Sequence, residues 1–289
     1  MLVPRISPED IKATIRTFPQ EIQKDRSRRI FILATTIVSH FFGREWVEAN
    51  VIQDETGSRG PTFFRLDFTS DAARESKSFR LVDFAETLFN LQHIEGFDSR
   101  VDQMRSGQVE STYAEFDFAR FLYIHDINFR FVQATGQRGS DYDVAITYPD
   151  GRTACADAKC RLEGTEIRIE TIRYGLEHAR SHNLPKSEPG IIFLKLPQSW
   201  LETPERRRGL RDEVNDFLRR TERIVDVVLY ASVVTPLSEQ IRNYHQFEEF
   251  ENPRHRFDMK KSWLLFRDFD VPPEWNGMPP KWVRVFSHG

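Results

Sequence analysis

The sequence predicts an α/β protein in which helices flank a mixed β-sheet, preceded by a mainly helical region. Helical periodicity dominates residues 1–107, whereas short strand-like runs alternate with helical segments from residue 108 onward. The pattern changes near Gly107. We therefore expect two domains, residues 1–107 and residues 108–289.

The first region contains two predicted helices and one predicted strand. Ile30–Phe42 is largely apolar, but it is too short to span a bilayer and begins too far along the chain for a signal peptide, so it predicts a buried helix. Ser78–Leu91 predicts an amphipathic helix opened by a serine cap. Pro61–Phe68 alternates weakly and predicts a strand. We expect this region to recognise substrate or to mediate homodimer formation.

The second region predicts helix, three strands, helix, strand, helix, strand. This order is typical of a mixed sheet covered by helices on both faces. The predicted helices are Val109–Ile124, Thr165–His182 and Pro204–Arg223. The predicted strands are Asn128–Gln133, Asp141–Tyr148, Arg152–Cys160, Gly190–Leu196 and Ile224–Val234.

Composition and charge limit the classes of function. The chain is 39% hydrophobic and 29% charged, as in an ordinary globular protein, and its net charge of −3 does not indicate a wholly basic nucleic-acid binder. Arginine clusters form either solvated helix faces or a phosphate-contacting surface: Arg26, Arg28 and Arg29, then Arg206, Arg207, Arg208 and Arg211. The two cysteines make no disulfide framework, so we expect a reduced, cytoplasmic protein.

A β-hairpin carries the candidate chemistry. If Pro149-Asp150-Gly151 forms a three-residue turn, Asp143 lies opposite Asp157, and Asp141 lies opposite Lys159. Opposed residues hold their Cβ atoms about 4.5–5.5 Å apart, a spacing at which two carboxylates repel. Mg²⁺ or Mn²⁺ between them would turn that repulsion into coordination. A two-residue turn would shift the pairing and place the two carboxylates on opposite faces.

Alternation assigns a role to each face of this hairpin. Asp157 and Lys159 share one face with Cys155, whereas the alanines of the strand lie on the other face and can pack against a helix. The first face would therefore carry chemistry and the second would join the core. An ammonium beside a metal can activate the attacking water or stabilise charge on a phosphate, which is what phosphodiester hydrolysis needs.

These residues resemble a known family. Gly139-Ser140-Asp141-Tyr142-Asp143-Val144, followed by Asp157-Ala158-Lys159, resembles the motif of the PD-(D/E)XK nuclease superfamily. Tyr142 stands where the family has proline. The predicted element order also resembles that superfamily's restriction-endonuclease-like core, and the resemblance covers about residues 108–196.

The resemblance implies an Mg²⁺-dependent nuclease, most of all a DNA endonuclease, with Asp143, Asp157 and Lys159 at its centre. It further implies that the metal is held by Glu115, from the preceding helix, and by the backbone carbonyl of Ala158. Independently, Glu115 shares a helical face with Phe118, Ala119 and Leu122, where a carboxylate needs a metal or a basic partner such as Lys159.

Accessory roles are open for several polar residues. Asp141 is expected to bind a second cation or to pair with Lys159. Arg138, in the loop before the motif, could contact phosphate or belong to a flexible turn. Arg173 follows the motif on a helix that also carries Glu170, Tyr174 and His178, where exposed polar residues are the default.

Other chemistries have less support in the sequence. His178 and His182 could join Cys155 and Cys160 in a zinc site, but the two cysteines face opposite sides of their strand. The sequence contains no Walker loop, GxGxxG or GxSxG motif. The competing class is a protein that keeps a nuclease fold without catalysis and acts as a nucleic-acid-binding or interaction module.

Overall fold

The computed structural model describes residues 3–52, 64, 71–148, 151–161, 166, 168–237, 240–258 and 281–286. These residues form two compact units. The first unit holds the described residues up to Val109, with 236–237, 240–241 and 281–286, and the second holds residues from Glu110 through 258 outside those segments. Among the described residues, none of the helices is both long enough and apolar enough to cross a bilayer.

The first unit is helical, as predicted. A π-helical turn over Glu48–Ile52 follows its fourth helix. Its helices are α1 (Pro8–Thr17), α2 (Gln20–Lys24), α3 (Arg26–Phe42), α4 (Arg44–Val47), α5 (Asp71–Leu91) and α6 (Phe97–Arg105).

Local capping sets where these helices begin. The Asp25 carboxylate accepts a hydrogen bond from the Arg28 amide at 3.0 Å, so α3 starts four residues before the apolar run that predicted it. The predicted cap at Ser78 is wrong, because α5 begins at Asp71. The intervening Ala-Ala-Arg-Glu segment consists of good helix formers and extends the helix. Apart from Phe64, the predicted strand Pro61–Phe68 lies outside the described residues.

Aromatic side chains form the core of this unit. The Phe42 and Phe84 rings stack with centroids 5.9 Å apart, and Phe64 stacks on Phe84 at 4.9 Å. Phe41 meets the edge of Phe97 at 5.4 Å, which joins α3 to α6. These contacts use part of the high phenylalanine content to join the helices of this unit.

Residues 281–286 pack on α5 of the first unit. The Trp282 indole donates a hydrogen bond to the Glu86 carboxylate at 2.6 Å, and Asn90 exchanges two hydrogen bonds with the Val283 backbone at 2.7 and 3.0 Å. The sequence-based division placed this segment in the second domain. No local pattern in the sequence links Trp282 to Glu86, which lies 196 residues away along the chain.

The second unit confirms the predicted α/β class. In the described chain, six strands form one sheet in the order β1-β2-β3-β4-β5-β6. The strands are β1 (Asn128–Phe131), β2 (Val144–Thr147), β3 (Thr153–Cys160), β4 (Gly190–Lys195), β5 (Ile224–Leu237) and β6 (Gln240–Glu251). The helices are α7 (Val109–Ile124), α8 (Ile169–His178), a π-helical turn (Ala179–Asn183), a 3-10 turn (Gln198–Leu201) and α9 (Pro204–Leu218).

The sheet is mixed, as the element order predicts. β1, β2 and β3 pair antiparallel, whereas β3, β4 and β5 pair parallel. The β4 strand is buried along its whole length, as is typical of a parallel strand with helices on both faces of the sheet. The sequence did not predict β6, because its many Gln, Asn and Glu residues are poor strand formers.

Helices cover both faces of the sheet. On one face, Leu176 of α8 and Leu210 of α9 share a core with Ile192 of β4. On the other face, Phe118 of α7 stacks on Phe193 of β4 with centroids 4.8 Å apart. Asp157 pairs in parallel register with Ile192, so its side chain points to the α8 face.

A buried carboxyl pair joins β5 to β6. Asp226 is 8% exposed. Burial raises the pKa of Asp226 well above its ordinary value, and the hydrogen bond that its protonated carboxyl donates to Glu249, together with the charges of Glu249 and Glu251, raises it further. The pKa of Asp226 is therefore higher in the folded protein than in the unfolded chain. The stability that this difference contributes is fully present below the unfolded-state pKa and is lost as pH rises through the folded-state pKa.

We expect Asp226→Asn to become more stable relative to the wild type as pH rises from about 5 to about 8. The amide keeps the shape of the protonated carboxyl and removes the cost of ionising it, which is about 1.4 kcal/mol for each unit of pKa difference. Urea unfolding across that range measures the difference. Asp216→Asn on an exposed part of α9 is the control, and an Asp226→Asn difference as flat with pH as that of the control would contradict the prediction.

Candidate active site

The β2–β3 hairpin has the register that the sequence predicts. Val144 pairs with Ala156. The Tyr148 amide donates to the Arg152 carbonyl at 2.9 Å, so these two residues face each other across the turn. The turn residues 149–150 lie outside the described residues. Continued by one more pair, this register would place Asp143 opposite Asp157 at the far end of the hairpin.

The two strands part at Asp143. In a regular ladder the Ala158 amide would donate to the carbonyl opposite it, that of Tyr142. Instead it donates to the Asp143 carboxylate at 2.7 Å, while the Asp143 amide donates to the Ala156 carbonyl at 2.9 Å. The side chain of Asp143 therefore replaces a backbone acceptor, and β2 begins at Val144 rather than at Asp141 as predicted.

Asp157 and Lys159 form an ion pair beside this fork. The Lys159 ammonium lies 3.0 Å from Oδ1 and 2.7 Å from Oδ2 of Asp157. The Asp157 side chain is fully buried, and its Oδ1 also accepts a hydrogen bond from the Asn183 amide group at 2.7 Å. Lys159 keeps 26% of its side chain exposed, so the ammonium lies between the buried carboxylate and solvent.

Three predicted acidic residues act on Lys159. Burial would lower the pKa of Lys159, but the charge of Asp157, then that of Asp143 and then that of Glu115 outweigh it, and the pKa is raised. The charges of all three carboxylates therefore act on Lys159, and the contact with Asp157 is direct. Three carboxylates around one ammonium leave an excess of negative charge.

Glu115 reaches the site from a helix with an unexpected environment. The carboxylate is 3% exposed. The prediction used an apolar helical face interrupted by Glu115, but α7 is buried all round from Thr112 to Leu122. Other polar residues of that stretch are also buried, including Asp117 and Arg120. The charge of Glu115 acts on Lys159, and this effect, rather than an isolated position on an apolar face, distinguishes Glu115.

The donor set fits a hard cation. In the described chain no three His, Cys, Asp or Glu side chains already stand in a metal-binding arrangement. The carboxylates of Asp143 and Asp157 are instead bonded to the Ala158 amide and to the Lys159 ammonium. Oxygen donors with excess negative charge suit Mg²⁺ or Mn²⁺, provided that the flexible Lys159 side chain moves off Asp157.

The Ala158 carbonyl faces the same fork. The Cys155 and Arg161 amides donate to carbonyls on the β4 side, those of Pro189 and Lys195. Backbone groups alternate along a strand, so the Ala158 amide and carbonyl face the β2 side, where Asp143 lies. This orientation is compatible with the predicted ligand role of the carbonyl.

Asp141 has structural partners in the loop before the motif. Asp141 does not pair with Lys159: its carboxylate accepts from the Thr135 and Gly136 amides at 2.7 and 3.0 Å and closes the preceding loop. These hydrogen bonds, first that from Thr135, lower the pKa of Asp141. The predicted pairing fails because the strands part at Asp143.

Arg173 and Arg138 differ in how far their structural contacts account for them. Arg173 forms two 2.7 Å hydrogen bonds to Glu213 and joins α8 to α9, which accounts for it without a phosphate. Arg138 is exposed, and its Nε donates to the Ser181 carbonyl at 3.1 Å. Arg138 therefore keeps its candidate role in phosphate contact, whereas Arg173 has a structural one.

Cys155 belongs to the core rather than to a chemical face. It is 1% exposed and lies in the core that α8 covers. Burial raises the pKa of Cys155 to about 12, and its hydrogen bond to Glu188 at 3.2 Å acts in the same direction. The thiol stays protonated at neutral pH, which argues against a zinc site with His178 and His182.

Sequence reasoning missed Asn183 and undervalued His178. Asn183 ends the π-helical turn, and an asparagine at a helix end is ordinarily a cap, so no pattern linked it to Asp157. Burial lowers the pKa of His178, the charges of Lys159 and His182 lower it further, and Asp157 opposes them. The charges of the Asp157–Lys159 pair therefore act on this imidazole.

The fold and site define an α/β protein whose mixed sheet carries a carboxylate and lysine cluster at a fork between two strands. No protein-family model matches the sequence, and no curated protein matches it. The assignment of this site therefore depends on the residues and geometry described above.

Proposed function

We propose that this protein is a metal-dependent nuclease that hydrolyses phosphodiester bonds of nucleic acid, most of all DNA, on a restriction-endonuclease-like core. One observation carries the proposal: the Lys159 ammonium is held by the buried Asp157 within the field of Asp143 and Glu115, at the point where β2 and β3 part. In metal-dependent hydrolysis of a phosphodiester, anionic residues hold the cation, and a neighbouring ammonium can stabilise charge on the phosphate.

The residues that would hold Mg²⁺ or Mn²⁺ are Glu115, Asp143 and Asp157, together with the Ala158 carbonyl. A cation bound there lowers the pKa of water and neutralises charge that develops on the phosphate. The burial of Glu115 and Asp157 supports this assignment, because buried carboxylates keep strong interactions with a cation that water would otherwise weaken.

The chain itself would supply orientation and protons. Lys159 donates hydrogen bonds either to a non-bridging phosphate oxygen or to the attacking water, since its ammonium has three donors and lies at the solvent side of Asp157. Asn183 fixes the plane of the Asp157 carboxylate through the 2.7 Å hydrogen bond. Lys159 and the Asp157 carboxylate that Asn183 holds both belong to the buried strand β3, which would therefore position them.

We expect the purified protein to nick supercoiled plasmid with Mg²⁺ or Mn²⁺ and to be inactive with EDTA. Loss of an outer-shell partner of a bound metal costs roughly 10–100-fold in metal affinity or activity. Asp157→Asn removes the charge of a direct ligand, so we expect its activity to fall by at least that factor. Gel assays of plasmid and of circular single strands measure both effects. Asp216→Asn, which disrupts an exposed ion pair with Arg219, is the matched carboxylate control and should cleave normally.

If the protein cleaves neither substrate with either metal, even at concentrations at which it binds DNA, the nuclease proposal is refuted. Equal activity of Asp157→Asn and the control would place the chemistry outside this hairpin. Calorimetric titration with Mn²⁺ separates loss of metal binding from loss of turnover.

A second candidate function is a nucleic-acid-binding module without catalysis. The direct ion pair favours it, because Lys159 already neutralises Asp157 without any metal. This candidate predicts DNA binding that is the same with Mg²⁺ and with EDTA, and an Asp157→Asn variant that unfolds more readily because Lys159 loses its partner.

A further inference from the structure

Three rings form a row along α8 and the π-helical turn that follows it. Tyr174, His178 and His182 succeed one another at intervals of four residues. The Tyr174 and His178 ring centroids are 6.0 Å apart, and those of His178 and His182 are 4.6 Å apart with the planes 11° from parallel. Tyr174 is 69% exposed, although a large aromatic side chain is ordinarily buried.

One end of this row lies beside the proposed catalytic centre. The π-helical turn that carries His182 also carries Asn183, which hydrogen-bonds to Asp157. The charges of Lys159 and Asp157 both act on His178. A chain lying on the rings would therefore pass next to the Lys159 ammonium.

A second cation lies against the same turn. Arg138 is exposed and donates to the Ser181 carbonyl at 3.1 Å, and the neighbouring Gly139 amide donates to the His182 carbonyl at 2.6 Å. The loop before the motif is thus held on the turn that carries the last ring. The rings are flanked by Arg138 and by Lys159, two cations that suit a phosphate backbone.

Burial, Lys159 and His182 lower the pKa of His178 below its ordinary value, with Asp157 opposing them. The imidazole is therefore neutral at neutral pH. Near-parallel rings do not direct their nitrogen lone pairs at one ion, so the pair is better suited to stacking than to binding a metal.

We propose that Tyr174, His178 and His182 form a stacking platform for unpaired bases, with Arg138 and Lys159 contacting the phosphates, so that the substrate is single-stranded nucleic acid or a locally unpaired strand. Exposed aromatic rings bordered by cations are what binding of single strands requires, because every base has a face that stacks. Bases within a duplex are already stacked on one another. The proposal rests on the proposed function in that it takes the Lys159 centre as the place of cleavage.

The test measures binding without turnover. Oligo-dT and oligo-rU carrying 2-aminopurine, and a matched DNA duplex, are titrated in EDTA with wild type, Tyr174→Leu and Tyr174→Phe. Stacking on tyrosine quenches 2-aminopurine, and we expect Tyr174→Leu to lose this quenching and about tenfold or more of single-strand affinity, with duplex affinity unchanged. Tyr174→Phe keeps the ring and should retain both.

Leucine at position 174 keeps an apolar side chain on an exposed surface, so the variant should fold. Quenching that survives in Tyr174→Leu, equal loss of affinity for single strand and duplex, or absence of single-strand binding by the wild type would overturn the platform. Binding that depends on the Tyr174 ring would support the platform even if plasmid and circular single strands remained uncut. Failure to cut them would refute only the nuclease proposal. The two oligonucleotides show whether the strand is DNA or RNA.

Discussion

Lys159→Met should lose at least about a hundredfold of nuclease activity while binding divalent cations at least as tightly as the wild type. General acid–base or electrostatic help from one positioned group contributes about 10²–10⁴-fold, and the methionine side chain cannot supply it. Cation affinity should not fall, because the ammonium occupies the Asp157 carboxylate that a cation would bind. Plasmid nicking measures the first effect, and calorimetric titration with Mn²⁺ measures the second.

Lys159→Arg is the matched variant for this prediction. Arginine keeps the positive charge and the contact with Asp157, but its planar, more extended group places the donors differently. It should preserve stability better than methionine does and recover only part of the activity. If Lys159→Met cleaves at the wild-type rate, Lys159 serves as a structural counter-ion of Asp157. That result would refute the catalytic role of Lys159 and, because the variant cleaves, also the second candidate function.

The hairpin register could be predicted from the sequence because turn length alone determines it. Gly151 and the proline two residues before it indicate a three-residue loop, and alternation along β3 then gives the facing pairs. That inference is local and needs no tertiary contact. It gave the pairs from Val144–Ala156 to Thr147–Thr153 correctly. It could not show that the strands part at Asp143 or that Asp141 has a different partner.

Long-range contacts account for what the sequence did not show. Asn183 reaches Asp157 across 26 residues, and no periodicity links the two. Glu115 was selected on an apolar face of α7, whereas the helix is buried on every side. The strand β6 has a composition that disfavours strands and exists because it lies beside β5. Tertiary packing decided each of these features.

The buried pair of Lys195 and Asp117 is a further feature that only the structure shows. The Lys195 ammonium on β4 bonds to the Asp117 carboxylate on α7, and both side chains are 3% exposed. The ammonium also lies 4.5 Å from the centroids of the Tyr113 and Tyr230 rings. In the sequence, Lys195 was included in a run taken to be continuously apolar.

This contact connects α7 to the centre of the sheet. The same helix carries Glu115, two residues before Asp117. The Ser232 hydroxyl lies 3.3 Å from the Lys195 ammonium, which brings β5 into the contact. A change at Lys195 is therefore expected to alter the stability of the α7 face and, through the helix, the placement of Glu115.

Lys195→Met should destabilise the protein by about 3–5 kcal/mol, the cost of leaving a buried charge without its partner. Domains are ordinarily stable by roughly 5–15 kcal/mol, so that loss is a large fraction of the total. The variant should therefore show a much lower urea midpoint. Lys195→Met combined with Asp117→Leu removes both charges and should recover most of the stability, because apolar side chains of similar size can replace a buried ion pair.

The double variant distinguishes a charge effect from a packing effect. If the losses came from disturbed packing against Tyr113 and Tyr230, the two substitutions would add, and the double variant would be the least stable. Recovery instead shows that each single loss is mainly the cost of an unpartnered charge. A recovered double variant that still nicks plasmid would further show that Glu115 needs the position of α7 but not the Lys195–Asp117 ion pair itself.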